Sequence, residues 1–154
     1  MVAVVQKTVN TFRISGYCLS HTRCDIEVRD VETTTDEPES RKGTNMGLSP
    51  VETQMAALLG CTNVITHKLA KKYGMDIGEM EVDAEVSFDR RGTQMMEEID
   101  VPFPKIVLNI HVTTDADDAA IAKVKDGLRR YCPIAKVLRQ AGTEIEENWE
   151  IRRQ

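Results

Sequence analysis

The sequence predicts an α+β protein with a mainly antiparallel sheet, and three patterns carry that prediction. Three short segments rich in β-branched residues come first. A long apolar helix follows, and beyond it two segments alternate apolar and polar residues with the period of a strand. Strands and helices in this order favour α+β over α/β. The 154 residues are enough for one domain with an ordinary hydrophobic core, so we expect residues 1–154 to form a single domain.

The N-terminal part, residues 1–32, is predicted to hold three short strands. Their predicted bounds are residues 2–9, 11–18 and 23–31. Asn10-Thr11 and Ser20-His21 separate them, because these residue types favour turns. Residues 33–48 are polar, contain proline and glycine, and show neither the helical nor the strand period. This segment is therefore predicted to be a loop that leads into the central helix.

A long central helix is predicted to begin after Ser49 and to end at Gly74. Ser49 suits the N-cap, Pro50 suits the first helical position, and Glu52 completes a capping box. The run Met55–Cys61 is apolar almost all round, which is typical of a helix buried on several sides. One sheet cannot cover so many faces, so we expect a second subunit to cover the rest.

The helix and C-terminal part, residues 49–154, is predicted to continue with strands and two further helices. Alternation predicts strands at Met80–Phe88 and at residues 106–113, separated by a loop that contains Pro102 and Pro104. Asp115 is predicted to cap a helix that must end at Cys132, because Pro133 follows. A short helix then runs to Gly142, and residues 143–151 form a last strand.

Charge and composition exclude several classes of function. The formal net charge is −5 and the isoelectric point is about 5.3, which disfavours binding to nucleic acid or to an anionic membrane surface. No stretch has the length and apolarity of a signal peptide core or a membrane span, so we expect a soluble, cytoplasmic protein. The four cysteines are not spaced like a secreted disulfide framework, so a disulfide here is expected to be catalytic or redox-sensing.

Two cysteines are candidates for a reactive thiol. Cys61 lies about three turns into its helix, where the helix dipole has faded, so it is either a small core residue or a thiol activated by another group. Cys132 is predicted at the start of the short helix, where backbone N–H groups favour an anion. From local features alone, Cys132 is the better nucleophile of the two. Glu52 is explained by capping, with a catalytic role as the alternative.

A third cluster is Cys18, His21 and Cys24, whose spacing suggests either a metal site or a redox pair. On one strand the two cysteines would share a face and His21 would point away, which disfavours zinc. We therefore expect no metal and no cofactor. His67 lies about 240° round the helix from Cys61, so it cannot act as that thiol's base within one chain.

The motif Gly47–Glu52, the run Ala56–Cys61 and the later Cys132-Pro133 resemble the OsmC/Ohr family, the osmotically induced and organic hydroperoxide resistance proteins. The resemblance implies an intertwined homodimer around a long buried helix, with its sites at the subunit interface. It implies thiol-dependent reduction of hydroperoxides, with Cys61 as the peroxidatic and Cys132 as the resolving cysteine, and an external dithiol as reductant. An arginine from the N-terminal strands is expected beside Cys61, with Arg13 as first candidate and Arg23 as second.

Two departures from the family pattern separate this chain from the characterised peroxidases. There a glutamate follows the helix-opening proline directly, whereas here Val51 follows Pro50 and Glu52 comes one residue later. Thr62 stands after Cys61, where many of those enzymes have an aromatic residue. The chain is therefore closer to the less characterised OsmC-like branch. The alternative function is a member that binds a small apolar or thiol ligand in the interface pocket without reducing peroxide.

Overall fold

The computed structural model describes residues 8–153, and the chain divides between Gln54 and Met55 into two compact units. Each unit has its own three-stranded sheet. Within residues 8–153 they hold three α-helices and two small sheets, which confirms the predicted α+β class. That the two units form one domain stays a prediction.

The first unit contains an antiparallel sheet in the order β1-β2-β3. Its strands are β1 (Ser15–Cys18), β2 (Cys24–Val28) and β3 (Val31–Thr35), followed by a short 3-10 helix at Glu39–Arg41. Three consecutive strands joined by short turns make a meander, because each turn brings the next strand back beside the last. Cys18 and Cys24 face each other across the first of these turns.

The predicted N-terminal strands need correction. Most of predicted strand 2–9 lies outside the described residues, and residues 8 and 9 are not in a strand. Predicted strand 11–18 is formed only at its end, in β1. Predicted strand 23–31 is divided between β2 and β3 by a tight turn at Arg29, which has a φ of 59°. The turn consists of Arg29 and Asp30, and only the aspartate is a typical turn residue, so the sequence signal for this reversal is weak.

The predicted loop 33–48 begins too early, because β3 continues to Thr35. After β3, the fully buried carboxylate of Asp36 holds the loop. It accepts hydrogen bonds from the backbone N–H groups of Glu37, Thr44 and Met46, at 2.8, 2.9 and 3.2 Å, and from the hydroxyl of Thr44. The Thr44 hydroxyl is the first cause that holds the pKa of Asp36 well below its usual range, and the N–H groups of Met46 and Thr44 add to it. The loop is therefore ordered by one side chain.

Helix α1 (Pro50–Lys72) begins and ends as predicted. Ser49 N donates to Glu52 Oε2 at 2.8 Å and Glu52 N donates to Ser49 Oγ at 3.4 Å, which forms the capping box. Gly74 ends the helix with a positive φ of 70°. The buried side chains of α1 form one stripe, made of Met55, Leu58, Thr62, Thr66, Leu69 and Ala70.

The second unit contains β4 (Met80–Val86), β5 (Lys105–Thr113) and β6 (Glu144–Arg152), in that order across the sheet. Both strands keep the predicted alternation, with half-buried and exposed residues in β4 and buried and half-buried residues in β5, and they pair antiparallel. β6 pairs parallel to β5, which makes this sheet mixed. The core side of β5 is fully apolar and consists of Ile106, Leu108, Ile110 and Val112.

Helices α2 (Asp118–Tyr131) and α3 (Pro133–Gln140) connect β5 to β6. Asp117, rather than the predicted Asp115, caps α2, and its carboxylate accepts from Ala120 N at 2.7 Å. Gly127 lets α1 and α2 approach closely, because a Cβ there would lie 2.7 Å from a methyl carbon of Leu69. None of the helices within residues 8–153 is long and apolar enough to span a membrane.

Candidate active site

Two cysteines meet in the second unit, where α1 passes the junction of α2 and α3. The Sγ atoms of Cys61 and Cys132 lie 2.9 Å apart, although the residues are 71 positions apart in the chain. Both are free thiols. Cys61 is half-buried and Cys132 is completely buried. Cys61 is therefore the more accessible residue of the two, and Cys132 lies within the core.

The sequence places both sulfurs by simple local means. Cys61 is neighboured along α1 by the buried side chains of Leu58 and Thr62, so its position places it at the edge of the core stripe. Pro133 cannot continue α2, and Cys132 becomes both the last cap of α2 and the N-cap of α3. Its Sγ accepts from Ala135 N at 3.5 Å.

Burial decides the protonation of Cys132. It raises the pKa of this thiol to about 11, with the hydrogen bond to Cys61 as the second cause. The N–H groups at the start of α3 lower the pKa, as predicted, but they are outweighed. The prediction that Cys132 is the better nucleophile is therefore wrong. At neutral pH Cys132 keeps its proton and donates its S–H to Cys61 Sγ.

The arrangement is suited to dithiol chemistry. Cys132 donates a hydrogen bond to Cys61 Sγ, so the two sulfurs already face each other. A disulfide needs an S–S distance of about 2.05 Å. The two sulfurs, at 2.9 Å, therefore have to close by less than 1 Å.

Glu52 is occupied by capping. Its carboxylate accepts from Ser49 N, and this hydrogen bond is the first cause that lowers the pKa of Glu52. The box is complete, since Glu52 N also donates to Ser49 Oγ. Both of its interactions thus belong to the start of α1, and a catalytic role for this carboxylate stays an untested hypothesis.

The two candidate arginines lie in the first unit and differ in their surroundings. Arg13 is exposed, lies two residues before β1, and makes no ion pair with another residue that the structure describes. Arg23 donates two hydrogen bonds to the carboxylate of Asp25, at 2.9 and 3.0 Å, which raise its pKa. The expectation that one of them stands beside Cys61 stays a prediction.

The histidines of α1 and β5 have partners other than the cysteines. His67 Nδ1 bonds to the backbone oxygen of Asn63 at 3.0 Å, and His111 Nδ1 bonds to Glu150 at 2.8 Å. Within residues 8–153 no group of three or more histidine, cysteine or acidic side chains could hold a metal ion.

Cys18 and Cys24 lie on two different strands, whereas the argument against zinc had placed them on one strand. Cys18 ends β1 and Cys24 begins β2, so they are cross-strand partners with Sγ atoms 3.4 Å apart. The sequence analysis named a redox pair as one alternative, but it did not predict that the two cysteines face each other across two strands. The signal was present, because the turn predicted at Ser20-His21 lies midway between the two cysteines.

Comparison with known proteins gives the fold and the family. Residues 43–148 match the profile of the OsmC-like protein family, and no curated protein matches the chain. An OsmC-like protein from Mycoplasma pneumoniae has a similar structure, with a TM-score of 0.77 at 15% identity over 92% of this chain and 97% of that one.

Two similar structures are organic hydroperoxide resistance proteins. The one from Legionella pneumophila has a TM-score of 0.66 at 15% identity, over 94% of this chain and 99% of that one. OhrB of Bacillus subtilis has a TM-score of 0.60 at 18% identity, over 92% and 98%. At such identities the likeness shows the fold alone, whereas the family profile covers more than half of the sequence. The chain therefore belongs to the OsmC-like protein family.

Proposed function

We propose that this protein is a thiol-dependent reductase of organic hydroperoxides, with Cys61 as the peroxidatic and Cys132 as the resolving cysteine. The observation that carries the proposal is the 2.9 Å approach of a half-buried thiol to a fully buried one. The organic hydroperoxide resistance proteins with a similar fold support the same chemistry.

The reaction balances with these two thiols and one external dithiol. The Cys61 thiolate attacks one peroxide oxygen, the O–O bond breaks, and the leaving alkoxide takes a proton to become an alcohol. Cys61 is left as a sulfenic acid. Cys132 sulfur then attacks Cys61 sulfur, its proton leaves with the hydroxide as water, and a disulfide forms. The external dithiol reduces this disulfide and is itself oxidised to a disulfide.

The cation that stabilises the Cys61 thiolate is assigned to Arg13, with Arg23 second. A buried or half-buried thiolate needs a positive charge or a hydrogen-bond donor nearby. Arg23 is engaged with Asp25, whereas Arg13 has no ion pair among the described residues and is free to take one. Glu52 is assigned the capping role, because both of its hydrogen bonds serve the start of α1.

A homodimer is the proposed working form. Outside its buried stripe, α1 exposes small and apolar residues, including Ala57, Gly60 and Val64, the last with 47% of its surface exposed. Exposed apolar surface of this kind is typical of an interface between subunits. Free thiols and the proposed dithiol recycling suit the reducing cytoplasm.

Peptide mapping after peroxide treatment tests the proposal. One equivalent of cumene hydroperoxide should give one equivalent of its alcohol and a disulfide between Cys61 and Cys132. Cys61→Ser should give neither, because the attacking sulfur is gone. If Cys61 is still reduced in the wild type after this treatment, the peroxidase proposal is wrong and the ligand-binding alternative is favoured.

A further inference from the structure

A second pair of thiols, outside the Cys61 and Cys132 site, is built into the β1–β2 hairpin. Cys18 and Cys24 are direct partners in the register of these strands. Leu19 N donates to Arg23 O at 3.1 Å, so these two residues form a hydrogen-bonded pair. Hydrogen-bonded and non-hydrogen-bonded pairs alternate along antiparallel strands, so the next pair, Cys18 and Cys24, has no mutual backbone hydrogen bonds. The Cα atoms of such a pair lie about 4.5 Å apart, within the range that disulfides span.

The two sulfurs are already close and have room to move. They lie 3.4 Å apart, so small side-chain rotations bring them to a bond length of about 2.05 Å. Gly16 provides part of the space, because a Cβ at this position would lie 2.9 Å from Cys24 Sγ. A larger residue at position 16 would displace the Cys24 thiol.

Hydrogen bonds on both sides hold the backbone of this hairpin. In the turn, Ser20 Oγ accepts from Thr22 N at 3.2 Å and from Arg23 N at 3.0 Å. Beyond Cys24, Asp25 accepts from Arg23 and from the hydroxyl of Thr34 at 2.8 Å, which ties β2 to its neighbours. The thiols are therefore presented by a fixed frame rather than by a flexible loop.

The two thiols differ in their access to solvent. Cys18 is exposed and lies at the end of β1, which among residues 8–153 is an edge strand of its sheet, whereas Cys24 is half-buried. The hydrogen bond with Cys18 is the first cause that raises the pKa of Cys24. Cys18 is thus placed to attack an incoming molecule, and Cys24 is placed behind it to complete the exchange.

We propose that Cys18 and Cys24 form a second redox site, which reduces disulfide-bearing molecules by thiol–disulfide exchange and is left as a cross-strand disulfide. Cys18 thiolate attacks one sulfur of the substrate disulfide, that S–S bond breaks, and one thiolate leaves. Cys24 then attacks Cys18 sulfur in the mixed disulfide, gives up its proton, and releases the second thiol. Two electrons pass from the pair to the substrate. The step needs no peroxide and does not depend on Cys61.

The test uses the Cys61→Ser, Cys132→Ser double variant, in which only the hairpin thiols remain. The variant is treated with oxidised glutathione, and in a second arm with a disulfide-bonded peptide, and is then mapped by mass spectrometry. We expect an internal disulfide between Cys18 and Cys24 and two thiols released per protein. Two opposed thiols have an effective concentration of at least about 1 mM. At about 0.1 mM reduced glutathione, the internal disulfide should therefore exceed the mixed disulfide about tenfold or more. Closure with glutathione alone assigns small disulfides as substrates, and closure in both arms extends the assignment to peptides.

Two control variants separate the proposal from general thiol reactivity. Cys24→Ser should stop at a mixed disulfide on Cys18, because the second thiol is missing. Cys18→Ser combined with Tyr17→Cys moves the thiol by one residue to the opposite face of the strand, and it should not close. Unreactive thiols, stable adducts on both cysteines, or closure that is as fast in the moved-thiol variant would each overturn the proposal. Circular dichroism of each variant checks that the fold is kept.

Discussion

The Cys61 and Cys132 pair joins residues 71 positions apart, whereas the Cys18 and Cys24 pair joins residues six positions apart. Cys61 and Cys132, the helix pair, meet only because α1 packs against the junction of α2 and α3. Cys18 and Cys24, the hairpin pair, meet because the neighbouring strands β1 and β2 turn back on each other. The first pair is a product of tertiary packing, and the second is a product of local register.

This difference gives the two pairs different chemistry. In the helix pair, one sulfur is completely buried and its pKa rises to about 11, which separates an outer thiol from an inner one. In the hairpin pair, the outer thiol is exposed and the inner one half-buried. The two proposed reactions fit this difference, because a small peroxide needs less open space around the sulfur than a bulkier disulfide does. Burial rather than residue type assigns the roles.

The largest expected effect is the loss of multiple turnover in Cys132→Ser. Cys61 should still consume one equivalent of hydroperoxide, but its sulfenic acid has no neighbour to resolve it and stays on the protein. Dimedone trapping of Cys61 and the amount of alcohol per protein measure this. Cys24→Ser is the matched change in the hairpin, and it should keep turnover with an external dithiol. Equal losses in the two variants would mean that the pairs work as one system.

The next effect concerns the rate of alkylation by iodoacetamide. A pKa raised from 9.0 to about 11 lowers the thiolate fraction of Cys132 near pH 8 about a hundredfold, and its burial slows the reaction further. Cys132 should therefore be modified last of the four cysteines, and well after the exposed Cys18, as read by mass spectrometry of timed samples. In Cys61→Ala the hydrogen bond that raises the pKa of Cys132 is gone, so modification of Cys132 should be faster. Modification of Cys132 at the same rate as Cys18 would contradict the burial argument.

Features that depend on neighbouring residues were predictable from the sequence. Three such features follow from residues a few positions apart in the chain. They are the capping box at Ser49 and Glu52, the helix break at Pro133 and the alternation in β4. The contact between Cys61 and Cys132 came from the family resemblance, because two cysteines so far apart in sequence carry no signal that they meet.

Features that depend on distant residues were not predictable. The pKa of Cys132 was misjudged because the helix start is visible in the sequence, whereas burial by the surrounding core is not. The parallel pairing of β6 with β5 likewise depends on the path of two helices. The predicted loop includes residues 33–35 of β3, because these threonines pair with β2 without forming an apolar stripe.

The smallest expected effect is a loss of stability at the start of α1, the helix that carries Cys61, without a loss of peroxide reduction. Ser49→Ala removes the hydroxyl that caps α1 and should lower the free energy of unfolding by about 1 kcal/mol, measured by urea denaturation. Glu52→Gln keeps an acceptor for Ser49 N and should cost less, because glutamine also serves in a capping box. If Glu52 only caps, both variants should reduce peroxide at the wild-type rate per folded molecule, and the hairpin pair should be unaffected. The opposite result is a Glu52→Gln variant that folds as stably as the wild type but has lost peroxide turnover. This result would make the Glu52 carboxylate part of the site, because the reaction would then need its charge and not its hydrogen bond to Ser49.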